Sequence, residues 1–133
     1  MNEEFNTEEI IEDTIDPKLQ AEIDKKVAEL KAADPKLKSV KVFVVDGTDD
    51  DDKELYVAYL RQPSFMTFSK YLTAAQKGNQ AVALRQLATD CFLAGDRELV
   101  DDDSLFLFGL MGQLNQLTEM RSGRLVNLSK PRK

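Results

Sequence analysis

The chain has 133 residues, 42% of them hydrophobic and 32% charged, with a formal net charge of −6. This length gives one domain with one modest core, and this composition is that of a soluble globular protein rather than a disordered one. No apolar run approaches the roughly 20 residues of a membrane helix, and the acidic balance opposes broad binding to phosphate backbones.

Residues 1–16 carry seven acids, Glu3, Glu4, Glu8, Glu9, Glu12, Asp13 and Asp16, and no base. Residues 1–15 read as a mobile acidic N-terminus, whose apolar residues Phe5, Ile10, Ile11 and Ile15 are available to dock when a partner is present. They lack the basic start and apolar centre of a secretory leader. With Cys91 the single cysteine, the expected location is a reducing cytoplasm.

A single α+β domain is predicted over residues 16–121. Asp16-Pro17 opens a helix, with aspartate as cap and proline at the first helical position. Leu19, Ile23, Val27 and Leu30 make its narrow apolar stripe, and Asp34-Pro35 stops it near Ala33. Two β-rich runs follow, "SVKVFVV" and "ELYVAYL". Val40, Val42 and Val44 share one face of the first. Leu55, Val57 and Tyr59 share one face of the second, and Tyr56, Ala58 and Leu60 the other. They predict an antiparallel hairpin, which needs a helical layer to be stable.

Three helices after the hairpin supply that layer. Ser64 caps the first, which places Phe65, Phe68, Leu72 and Ala75 on one side. Gly78-Asn79 breaks and recaps the chain. The second helix sets Leu84, Leu87, Ala88 and Cys91 on one side and closes at Gly95. Asp101, Asp102 and Asp103 precede the third, where acids complement the helix dipole. Its core stripe is Leu107, Leu110, Met111, Leu114 and Leu117, with Leu105 and Phe108 pointing away. Met66, Val82 and Leu93 also lie off the main stripes of their helices. Gly109 and Gly112 inside the last helix imply a close backbone approach. Residues 122–133 form a basic C-terminal tail.

The hairpin loop, "DGTDDDDKEL", is dense in carboxylates. A calcium loop of the EF-hand type needs glycine at its sixth position. From Asp49 that position is Glu54, and from Asp46 it is Asp51, so the register fails both ways. The loop reads as a solvated turn, whose aspartates bond nearby backbone and whose charge deters edge pairing.

Catalytic constellations are scarce. The chain has no histidine, which removes Ser-His-Asp and Cys-His nucleophiles and histidine-ligated metals. Cys-x-x-Cys pairs and glycine-rich phosphate loops are also missing. Cys91 lies on an apolar side and reads as an inert buried thiol. No enzyme, cofactor or metal is expected. Apolar residues in surplus of the core point instead to an interaction surface.

From about Val40 to Leu128, the chain resembles one branch of the phage tail assembly chaperones. A strand runs into "YLRQPSFMTFSKYLTAA"; then come "LATDCFLAGDRELVDDD", "LFLFGLMGQLNQL" and a short basic tail. Order and spacing carry the likeness. Phe92 stands where the family has tryptophan, and Ala94 where it has glycine. The resemblance implies a non-enzymatic protein of the host bacterial cytoplasm. It would bind the aggregation-prone tape measure protein and help recruit tail tube protein, with self-association also open. Nucleic acid and membrane are not expected partners. Leu105, Phe108, Met111 and Tyr71 are the candidate partner-binding residues. The alternative is an acidic inhibitor that mimics nucleic acid and occupies a basic partner.

Overall fold

A computed structural model describes residues 16–117 and 123–126. The expectations for the acidic N-terminus, and for most of the basic tail, lie outside these residues. The elements run α1 (Pro17–Ala33), β1 (Val40–Asp46), β2 (Leu55–Arg61), α2 (Phe65–Gln76), α3 (Gln80–Cys91), β3 (Phe92–Gly95) and a single-turn α4 (Glu98–Asp101). A last helical run, α5, starts as α-helix at Asp103–Leu105, widens to a π-turn over Phe106–Leu110 and tightens to 3₁₀ over Met111–Gln116. The architecture is α+β, with a three-stranded antiparallel sheet in the order β1-β2-β3.

The predicted helix starts form for the predicted reasons. Asp16 Oδ1 accepts the Lys18 amide at 3.0 Å, Ser64 Oγ the Thr67 amide at 3.2 Å, and Asn79 Oδ1 the Val82 amide at 3.2 Å. Each satisfies an amide that has no partner within its helix.

The hairpin pairs Val40 with Arg61 through Asp46 with Leu55. Its alternation gives two faces. Phe43, Val45, Tyr56, Ala58 and Leu60 face the main core, where α3 supplies Leu87, Ala88 and Cys91, α4 supplies Leu99 and Val100, and α5 supplies Phe106, Leu110 and Leu114. Burying one such leucine or phenylalanine is worth about 2–3 kcal/mol. Ile23, Leu37 and Tyr59 are buried apart from this cluster. Tyr59 lies on the second face, and the Glu22 carboxylate of α1 reaches it electrostatically. Ile23 is the sole buried residue of α1, and the helix makes no extensive contact with any one element.

Two expectations are corrected. The helix predicted to run to Gly95 stops at Cys91, and Phe92–Gly95 become a third strand on β2. Gly95 is not a left-handed helix cap closing α3. It has φ +111°, and a Cβ there would stand 2.3 Å from the Val57 carbonyl oxygen. Glycine is required because β3 crosses so close to β2. Asp96 locks the crossing: its amide donates to Val57 O at 2.8 Å, and its Oδ2 accepts the Val57 amide at 2.9 Å.

In α5, Phe106 enters the core at 1% exposure while Leu107 is left 39% exposed. The core stripe is thus Phe106, Leu110, Leu114 and Leu117, spaced four, four and three. Leu105 and Met111 are half-buried and pack against the same cluster. The Gly109 expectation holds, since a Cβ there would lie 2.9 Å from Val45 Cγ1, whereas Gly112 faces open space. Gln113 Nε2 donates to Val44 O at 3.3 Å, which ties α5 to the outer edge of the sheet.

Candidate protein-interaction surface

The aspartate loop folds on itself. Gly47 N–H donates to Glu54 O at 2.8 Å, and Asp51 Oδ2 accepts the Thr48 amide at 2.8 Å and its hydroxyl at 3.2 Å. Lys53 turns inward onto Asp96 at 2.5 Å and Glu98 at 3.4 Å. Its ammonium is held above the ordinary lysine range, chiefly by the hydrogen bond it donates to Asp96. Asp49, Asp50 and Asp52 stay in solvent. Among the described residues, no group of three or more histidine, cysteine, aspartate or glutamate side chains is arranged to hold a metal ion.

The second acidic cluster is structural. Asp102 caps α5 by accepting the Leu105 amide at 3.0 Å. Arg85 reaches across from α3. Its Nε donates to Val100 O at 2.6 Å, one terminal nitrogen to Asp101 O at 2.5 Å, and the other to Asp103 Oδ1 at 2.6 Å. The guanidinium also lies 5.7 Å from the centre of the Phe106 ring. One arginine thus satisfies carbonyls at the end of α4 and joins α3 to the start of α5.

Cys91 is fully buried, and its thiol is pushed up to about 11, first by that burial and then by Asp90. Among the described residues no polar or charged side chain is buried. What the molecule presents is surface.

The main apolar surface is α2. No residue of this helix is fully buried, and it packs on α3. Phe68 and Tyr71 turn inward, their ring centroids 5.6 Å apart, and Tyr71 reaches the core cluster. Phe65 is left 83% exposed and Met66 74%, and the neighbouring Val82 on α3 is 60% exposed. Phe65 and exposed Leu72, seven positions or about two turns apart, lie along one flank of α2. Met66 lies on the other, where shallow recesses run past Lys70 and Thr73 to Val82 and Ala83. The predicted one-sided stripe of Phe65, Phe68, Leu72 and Ala75 is therefore split. The helix is rotated so that Phe68, Tyr71, Ala74 and Ala75 turn inward, and Phe65 and Leu72 turn to solvent.

Of the four candidate partner residues, Leu105, Phe108 and Met111 follow one another at three-residue spacing along α5, and Tyr71 lies on α2. Phe108 is 88% exposed. Leu105, Met111 and Tyr71 are half-buried against the core. Periodicity alone assigns Phe65 and Leu72 to packing, because a 3.6-residue period does not say which of two apolar sides meets the core. The signal available was Tyr71 with Ala74 and Ala75, a second side small enough to lie close to α3. No helix among the described residues is long and apolar enough to cross a membrane. No family model, curated protein or solved structure matches the chain.

Proposed function

We propose that the protein is a non-enzymatic phage tail assembly chaperone that binds the tape measure protein and helps recruit tail tube subunits in the host cytoplasm. The order of motifs between Val40 and Leu128 supports this reading. The observation that carries it is α2, a 12-residue helix with no buried residue and with Phe65 and Met66 in solvent. Large exposed apolar side chains grouped on one element mark an interaction site. An amphipathic client helix would lay its apolar stripe along this surface. Modest affinity per copy suits a chaperone that must leave, with avidity supplied by many copies along one client.

The test is co-expression with a candidate tape measure protein, followed by sedimentation of the soluble fraction. The wild-type chain should keep the client soluble and co-sediment in several copies. Phe65→Asp with Met66→Asp should melt within a few degrees of wild type, since neither side chain is in the core, and should leave the client insoluble. A client that precipitates equally with wild type would sink the proposal.

A further inference from the structure

β1 is an outer strand of the sheet, and the direction of its backbone groups follows from its neighbours. Val57, the partner of Val44, directs its amide and carbonyl to Asp96 on the β3 side. The Val44–Val57 pair therefore exchanges no hydrogen bonds. By the alternation of an antiparallel ladder, neither do Val42–Tyr59 and Val40–Arg61. The amides and carbonyls of Val40, Val42 and Val44 thus point away from the sheet, and Val44 O meets Gln113 Nε2 on that outer side. No described residue bonds the outward groups of Val40 or Val42.

Sheet edges are commonly blunted by proline, bulges or charge. β1 has no proline, and its register with β2 is unbroken from Val40 to Asp46. Its outward-bonding valines are half-buried. The one charge inside it, Lys41, belongs to the alternate set whose backbone bonds β2. Opposite charges lie at its two ends. Lys36 and Lys38 precede the strand, whereas Asp46 closes it and Asp49, Asp50, Asp51 and Asp52 follow. Lys38 and Asp46 are exposed, and among the described residues neither is ion-paired. A second β1 laid parallel would stack like charges. Laid antiparallel, it sets each basic end against an acidic one, so the charge that deters other pairings selects this one.

We infer that the protein forms a two-fold dimer through β1, centred on Val42, which joins two three-stranded sheets into one. Val42 exchanges amide and carbonyl with the partner's Val42, and Val40 does so with the partner's Val44. The Val44 carbonyl has a second lone pair beside its bond from Gln113. The half-buried valines cover one another across the axis, and Asp46 stands opposite the partner's Lys38 at each end. Such an isologous contact closes at two copies. It involves neither α2 nor a client and does not rest on the chaperone reading.

The test uses the full-length chain alone. Sedimentation equilibrium at submillimolar concentration should show monomer and dimer in exchange. Lys38→Asp and Asp46→Lys should each weaken the dimer about tenfold, because exposed pairs contribute a modest factor and the two-fold axis applies it twice. The double swap should return it to within about threefold of wild type. Circular-dichroism melts check that each variant is folded. The register is read from a mixture of Lys38→Cys and Asp46→Cys chains treated with a short bis-maleimide; Cys91 is buried and does not interfere. The two chains should link to each other. Either alone should give little dimer, since like positions stand about 27 Å apart, eight residues at about 3.4 Å each. A chain that stays monomeric, a dimer indifferent to both reversals, linkage of Lys38→Cys mainly to itself, or growth beyond the dimer would each overturn the assignment. If a charge-reversed chain fails to fold, the cysteine mixture decides alone.

Discussion

Single residues hold this small domain together in ways that differ from their chemical stereotypes. Arg85 looks like a surface base but fastens three elements through two backbone carbonyls and one carboxylate. Arg85→Ala should cost about 2–3 kcal/mol in chemical denaturation, because it strands carbonyls as well as a charge. Asp103→Ala, which removes an 83%-exposed partner, should cost under about 1 kcal/mol. Cys91 offers a pH test. Its folded thiol titrates near 11, above the ordinary value of 9.0. The unfolded chain therefore releases this proton at lower pH than the folded one, so the contribution is complete below about pH 9 and is lost as pH rises toward 11. Tyr56 and Tyr59, also raised chiefly by desolvation, act in the same direction. Denaturation midpoints should fall over this window, and Cys91→Ala should flatten the slope. A midpoint that stays level in wild type would contradict the buried-thiol assignment.

At the scale of elements, α5 shows how a change of helix type redistributes a stripe. The π-turn at Phe106–Leu110 places Phe106 inside and leaves Phe108 in water. Phe106→Ala should cost about 3–5 kcal/mol, as for a large core side chain, whereas Phe108→Asp should leave the melting temperature nearly unchanged. Thermal melts of the two variants check both. The hairpin was legible because strict alternation distinguishes its faces, and the helix starts were legible because Asp16, Ser64 and Asn79 carry local cap chemistry. β3 was not. "FLAG" follows α3 without a break and has no alternation long enough to mark a strand. It is extended because β2 offers a free edge and Gly95 tolerates the close crossing.

Across the whole molecule, charge is segregated. The aspartate loop and Asp101–Asp103 are runs of acids, and residues 55–89, which contain no acid, put bases beside exposed apolar side chains. This division separates the two functional readings. Binding of a helical client to α2 should change by no more than a few-fold between 0.1 and 0.5 M salt, whereas capture of a basic partner by the acidic side would collapse through screening. Titration of client peptides at the two salt concentrations measures the difference.

The α+β class, the hairpin and its loop, the helix starts and the two faces of β1 and β2 were legible in the amino-acid order, because each rests on local periodicity or a cap a few residues away. Long-range packing sets the rest: α2 turns Phe65, Met66 and Leu72 outward, Phe106 rather than Leu107 fills the core, and Arg85 is a clamp. Those outcomes depend on which neighbouring surface is already occupied. A helix with apolar residues on more than one side has no local preference among them. Packing of Tyr71 and the small alanines against α3 settles which side is buried, and the remaining apolar residues become the surface on which function is proposed.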